Sequence, residues 1–208
     1  MGLPGAARRV LLALALLLAP APTPAAERVI VALGDSLTAG LGVAADEAYP
    51  ALLERRLRAA GLAYRVVNAG VSGDTSAGGL RRLDWVLRSR PEIVIVALGA
   101  NDGLRGLPIA ALRDNLTAIV TRLRADGVRV LLVGMRLPPN YGKAYASEFT
   151  EAFRDVARRT SSAYLPFLLE GVAGDPGLNQ PDGIHPNAPG QRAVAERVWA
   201  SLEPLLRR

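Results

Sequence analysis

Short apolar runs and amphipathic stretches alternate along the chain. Residues Val29 to Leu33 are five consecutive apolar positions closed by Gly34. A run of this length, without polar alternation, predicts a strand buried on both faces over 28–33. Further strands are predicted at 64–67, 93–98, 129–134 and 163–166 on the same grounds. Between them the apolar period lengthens to three or four. Residues 46–60 place Leu52, Leu53 and Leu57 on one helical face and stop at Gly61, with Pro50 suited to the first turn. Residues 75–88 read as one helix with Leu80, Leu83 and Leu87 inward, and further helices are predicted at 108–126, 144–159 and 190–205.

Strict strand–helix alternation with continuously apolar strands predicts an α/β fold, a parallel sheet covered by helices on both faces. No internal repeat or interdomain linker interrupts it, so residues 27–208 read as a single domain. The segment 170–189 is long enough to carry function rather than connection alone.

The first 26 residues follow a different pattern. Arg8 and Arg9 precede ten apolar residues, Val10 to Ala19, and then Pro-rich small residues ending at Ala25-Ala26. Basic, apolar and small-residue regions in that order describe a secretory signal peptide, with cleavage near Ala25 or Ala26. Ten residues fall short of the ~20 a membrane-spanning helix needs. The expectation is export to the periplasm or medium, without a stable membrane span.

Composition narrows the chemistry. The chain has no cysteine, so the exported fold must stand without disulfides and has neither a thiol nucleophile nor a thiolate metal site. With a single histidine, no metal site is expected either. The formal charge is +6, and +4 once Arg8 and Arg9 are removed. The arginines at 55, 56, 58, 81, 82, 88, 122, 124, 158 and 159 mostly sit at helical spacing and read as solvated helix faces. Without aromatic interleaving, no nucleic-acid partner is expected. A monomer is expected.

Polar residues collect where the predicted strands end: Gly34-Asp35-Ser36, then Ser72-Gly73-Asp74, then Gly99-Ala100-Asn101-Asp102. In a parallel sheet these ends share the edge where ligands bind. Far along the chain, Asp182-Gly183-Ile184-His185 holds the only histidine. Serine needs a neighbouring base to act as a nucleophile, and imidazole, with an ordinary pKa of about 6.5, is the usual one. A carboxylate must then fix the tautomer. Ser36, His185 and Asp182 supply these roles. The backbone N–H groups of Ser36 and Gly73 and the Asn101 amide are candidate donors to an oxyanion.

Taken singly, each residue has a plainer use. Ser36 could cap a helix or line a phosphate loop, Asn101 and Asp102 could form a turn, and Asp182 and His185 could be an incidental surface pair. Asp35 and Asp74 read as acceptors bracing their loops. Every part of one mechanism at one sheet edge favours catalysis. Competing motifs lack context. The stretch Gly40-Leu41-Gly42-Val43-Ala44-Ala45 matches G-x-G-x-x-A away from a strand end, no G-x-x-x-x-G-K-[ST] occurs, and Thr38 stands where a G-x-S-x-G elbow ends in glycine.

These residues resemble the four blocks of the SGNH, or GDSL-type, hydrolase family, with Ser36, Gly73, Asn101 and His185 as the matches and Asp182 in the D-x-x-H pair. GDSLTAG (34–40), NAGVSGDTSAGGL (68–80), LGANDGLRGLP (98–108), RLPPNYG (136–142) and DGIHPN (182–187) are most similar to the exported bacterial thioesterase, lysophospholipase and arylesterase subgroup. The resemblance implies a three-layer α/β/α, flavodoxin-like sandwich with about five parallel strands. It implies cofactor-free, metal-free acyl transfer to water from small-molecule esters or thioesters, and an acyl-chain pocket built with Leu137, Pro138 and Tyr141. Ala100 departs from the glycine many relatives carry before the asparagine. Two other readings stay open: a carbohydrate or peptidoglycan O-deacetylase, and a flavodoxin-like binding module with a vestigial site.

Overall fold

The computed structural model describes residues 28–207. The predicted signal peptide, residues 1–26, lies outside them. Five parallel strands, β1 (Arg28–Gly34), β2 (Tyr64–Gly70), β3 (Ile93–Ala97), β4 (Arg129–Val133) and β5 (Ala163–Leu165), form one sheet in the order β2-β1-β3-β4-β5. That is the flavodoxin-like order, which reverses direction between β1 and β3 and opens a crevice at their carboxyl ends. Ile30 to Leu33 of β1 and Ile93 to Val96 of β3 are fully buried, as unbroken apolar runs require in the middle of a covered sheet.

The helices are α1 (Ser36–Ala39), α2 (Tyr49–Ala59), α3 (Ser76–Arg81), α4 (Leu83–Arg88), α5 (Ala100–Leu104), α6 (Ile109–Ala125), α7 (Lys143–Thr160) and α8 (Ala188–Leu206). They fall into two packed groups: α2 against α8, and α6 against both α3 and α7. The first group buries Leu53, Leu57, Val198 and Leu202, the second Leu112, Leu116, Phe149 and Phe153. The three layers are those expected.

Three local expectations are corrected. Short helices, α1 and α5, follow β1 and β3 directly, where the apolar periodicity predicts none. Strand β2 continues past Val67 to Gly70. The helix expected over 75–88 is two helices, interrupted at Arg82, whose backbone (φ −101°, ψ 12°) leaves the helical region. The cause is tertiary. Gly79 lies so close to Leu98 that a Cβ would meet Leu98 Cδ1 at 2.1 Å, and the Arg82 side chain is drawn beneath the strand ends. Of the leucines expected inward, Leu83 is buried while Leu80 and Leu87 are only partly so; Val86 takes the buried position instead.

Candidate active site

Strand β1 ends at Gly34, and the chain turns abruptly into α1. Glycine is needed there because a Cβ on Gly34 would meet Thr38 Oγ1 at 2.0 Å. Asp35 caps the new helix, its Oδ1 accepting the Leu37 N–H at 3.0 Å, and Ser36 becomes the first helical residue. Ser36 is thus carried on the helix rather than capping it.

The long segment before α8 brings His185 to this point. Asn179 is buried and donates to the carbonyls of Val172 (2.6 Å) and Asp175 (2.8 Å). The Gln180 N–H bonds the His185 carbonyl at 2.8 Å, and the Gln180 side chain bonds the Leu41 carbonyl at 2.6 Å, tying this segment to the turn after α1. Asn187 caps α8 by accepting from Gly190 N–H at 3.0 Å.

The result is a row of three side chains. Ser36 Oγ lies 2.9 Å from His185 Nε2, and His185 Nδ1 lies 2.7 Å from Asp182 Oδ2. The other Asp182 oxygen accepts the N–H groups of Ile184 (2.9 Å) and His185 (3.0 Å). Those bonds, the His185 N–H foremost, then Ile184 N–H and the imidazole, hold the Asp182 carboxyl down at about 2 although it is largely exposed. Well above that pH it is an anion, which holds Nδ1 as the protonated nitrogen and leaves Nε2 to accept from Ser36.

Asp35 differs. Burial pushes its carboxyl up to about 6, against the opposing pull of the Leu37 N–H and of His185. It does not join the row. Its second oxygen lies 3.4 Å from Asn101 Nδ2, so it braces the loops, as does Asp74, which accepts from Thr75 N–H at 3.1 Å.

The three candidate oxyanion donors belong to Ser36, Gly73 and Asn101, which line the same cavity. Asn101, in the first turn of α5, directs one amide hydrogen to the Asp74 carbonyl at 2.9 Å, and only the long contact to Asp35 engages its second. Among the described residues no acceptor is bonded to the backbone N–H of Ser36 or Gly73. Gly73 (φ +79°) is the third residue of a turn closed by Asp74 N–H on the Val71 carbonyl at 3.0 Å, a position needing positive φ. The neighbouring Asp102 is no turn former. It is buried and accepts from Ser76 N–H (2.8 Å) and Ser76 Oγ (2.5 Å), locking α5 to the start of α3.

Ser36, Gly73, Asn101 and His185 all line one cavity of about 930 Å³. The rest of its lining is mainly apolar, with Asp35, Ser72, Arg136 and Asn140 as polar exceptions. Leu137, Pro138 and Tyr141 are part of this lining, and Tyr141 is fixed by its hydroxyl on the Leu104 carbonyl at 3.0 Å. Sequence reasoning missed Leu41, Leu104, Met135, Phe167, Leu169 and Ile184, which also line it. The apolar run Phe167-Leu168-Leu169, continuing past the end of β5, was the available signal. Arg82, assigned to a solvated face, has only 19% of its side chain exposed. Among the described residues no group of His, Asp or Glu side chains could hold a metal ion, and no helix is long and apolar enough to cross a membrane.

A serine, an imidazole and a carboxylate in register at the switch point of a doubly wound sheet define a serine hydrolase of the α/β/α class. The chain belongs to the GDSL-like Lipase/Acylhydrolase family, whose model matches residues 32–193. It is 47% identical over 183 residues to Esterase TesA of Pseudomonas aeruginosa, covering 88% of this chain and 91% of that protein. It is 39% identical over 183 residues to Thioesterase 1/protease 1/lysophospholipase L1 of Escherichia coli K12, covering 88% of this chain and 86% of that protein. A crystal structure of TesA superposes with a TM-score of 0.83 at 46% identity, covering 86% of this chain and 99% of that one.

Proposed function

We propose that this protein is an exported serine esterase that hydrolyses acyl esters or thioesters, of the arylesterase, thioesterase and lysophospholipase type. The observation that carries the reading is the Ser36–His185–Asp182 row, 2.9 and 2.7 Å between partners, opening on an apolar cavity. His185 Nε2 takes the Ser36 proton as Oγ attacks the acyl carbonyl, and the N–H groups of Ser36 and Gly73 with the Asn101 amide receive the oxyanion. His185 then returns the proton to the leaving alcohol or thiol, leaving the acyl group on Ser36. Water, deprotonated by the same nitrogen, releases the acid and restores the serine.

The cavity supports an acyl chain longer than acetyl. About 930 Å³ lies at the upper end of the ~300–1,000 Å³ usual for small-molecule sites, and leucine, proline, methionine and phenylalanine side chains dominate its lining. Such walls reward burial of methylene groups at roughly 0.8 kcal/mol each, and beyond Asp35, Ser72, Arg136, Asn140 and the catalytic groups they offer sugar hydroxyls no polar side chain except the Tyr141 hydroxyl, already bonded to the Leu104 carbonyl, which disfavours the deacetylase reading. The relatives' names span esters and thioesters, and the same oxyanion chemistry serves both. Export after loss of the first 26 residues, a monomeric state and the absence of a nucleic-acid partner complete the proposal, on the sequence patterns given above.

The test is turnover of p-nitrophenyl esters from acetyl to palmitoyl by the purified protein, with Ser36→Ala alongside. Hydrolysis lost in the variant, with an optimum beyond acetyl, is expected. A folded protein inactive at every chain length would overturn the hydrolase reading. An acetyl optimum would overturn the chain-length assignment.

A further inference from the structure

The interruption between α3 and α4 places the Arg82 side chain under the active-site edge. Its Nη2 donates to the Gly34 carbonyl at 2.9 Å, its Nη1 to the Ala69 carbonyl at 2.6 Å and its Nε to Asp74 Oδ2 at 2.8 Å. The guanidinium and the Asp74 carboxylate are mostly buried, at 19% and 12% side-chain exposure. One planar group thus bonds the end of β1, the end of β2 and the loop between β2 and α3.

Two of these acceptors, Gly34 and Asp74, lead to oxyanion donors. Gly34 is two residues before Ser36, and its carbonyl also accepts Val71 N–H at 3.0 Å, where the turn that presents Gly73 begins. Asp74 follows Gly73, and its own carbonyl accepts the Asn101 amide at 2.9 Å. The Ser36 and Gly73 N–H groups and the Asn101 amide stand on three different segments: α1, the loop after β2, and α5. Arg82 and Asp74 form a buried pair that ties these segments together, beside the contacts of Val71 with Gly34, Asn101 with Asp35 and Ser76 with Asp102.

We infer that Arg82 is a positioning residue for the oxyanion hole, setting the spacing of its three donors without touching the substrate. Strand-end carbonyls alone could be satisfied by water. A guanidinium satisfies three acceptors in a fixed plane, which a lysine ammonium on a flexible stem cannot reproduce. Donors displaced by a fraction of an ångström lose transition-state stabilisation while the apolar cavity, built from other loops, still binds the acyl chain.

The inference rests on the esterase reading, and one experiment separates the two. Steady-state kinetics on the preferred ester are measured for the full chain, Arg82→Gln, Arg82→Lys and the exposed-neighbour control Arg81→Gln, well below each protein's melting temperature. Absent turnover in the unsubstituted protein counts against the esterase reading itself. With turnover present, kcat is expected to fall ~10²–10³-fold in Arg82→Gln, the scale of losing one oxyanion donor, with KM changed less than about threefold and Arg81→Gln unaffected. Arg82→Lys should keep the fold and still lose about tenfold or more in kcat. If Arg82→Gln does not fold, Arg82→Lys decides. Added guanidinium should restore part of kcat to a folded Arg82→Ala. A folded Arg82 variant with unchanged kcat, or one whose loss lies in KM, overturns the inference.

Discussion

The two walls of the cavity are built differently. On the wall formed by the ends of β1, β2 and β3, every functional group is held by directional bonds. Asp35 caps α1, Asp182 grips His185 through two hydrogen bonds and Ile184 through a third, Asp102 locks Ser76, and Arg82 bonds the ends of β1 and β2 and the loop after β2. The other wall follows β4 and β5 and includes Met135 to Tyr141 with Phe167, Leu169, Ala173 and Gly174. Few polar ties fix it. Tyr141 bonds the Leu104 carbonyl, and Arg136 lies over Phe167 at 4.9 Å with its guanidinium 3.4 Å from Glu170, both ends of that ion pair about half exposed. Proton transfer and oxyanion binding demand fixed distances, whereas apolar burial is non-directional and tolerates adjustment. The difference predicts that substitutions on the first wall change rate and those on the second change selectivity.

The largest effect should come from the row itself. Ser36→Ala and His185→Ala are each expected to lower kcat by roughly 10⁴–10⁶-fold with circular dichroism and melting temperature little changed, since neither side chain supports the core. Residual turnover within tenfold of the original in either variant would break the assignment. Asp182→Asn should cost less, about 10–10³-fold, because water reaches this carboxylate and can replace part of its role.

On the second wall the effect should be smaller and dependent on chain length. Leu137→Trp is expected to lower kcat/KM on long-chain esters by about tenfold while leaving acetyl ester turnover within about threefold. Leu137 already lies so near Gly103 that a Cβ there would meet it at 2.8 Å, so a larger ring has to enter the cavity. Equal losses at every chain length would show that this wall, too, sets rate.

The smallest effect concerns stability and pH. Asp35 has a folded-state pKa near 6, above the ordinary carboxylate value of 3.8. A group raised in this way favours the folded state fully below about 3.8, and that contribution is lost as pH rises through about 6. Asp35→Asn keeps an acceptor for Leu37 N–H and removes the buried charge. It should therefore be more stable than the original protein at pH 8 by on the order of 1–3 kcal/mol, the advantage shrinking as pH falls from 6 to 4. Melting temperatures across that range check the sign, and a constant difference would refute the burial account.

Strand and helix placement could be read directly from the chain because a buried strand needs an unbroken apolar run and a covering helix needs a stripe. The candidate row was readable for a related reason: Ser36, Gly73, Asn101 and the Asp182–His185 pair sit at the ends of those elements, so topology alone predicts that they converge. Arg82 shows where this stops. Its spacing beside Leu83 resembles that of Arg81 and Arg88, both exposed, and nothing local distinguishes a solvated arginine from one turned inward. Only the close packing of Gly79 on Leu98 and the three acceptors brought beneath it, from segments 8, 13 and 48 residues away in sequence, decide its direction. The apolar cavity was likewise half hidden, because Leu41, Leu104 and Phe167 come from separate loops and acquire a common surface only when those loops are folded. Periodicity and motif order reside in the chain itself. The partner of a long charged side chain, and the volume enclosed between loops, depend on distances that exist only after the sheet is assembled.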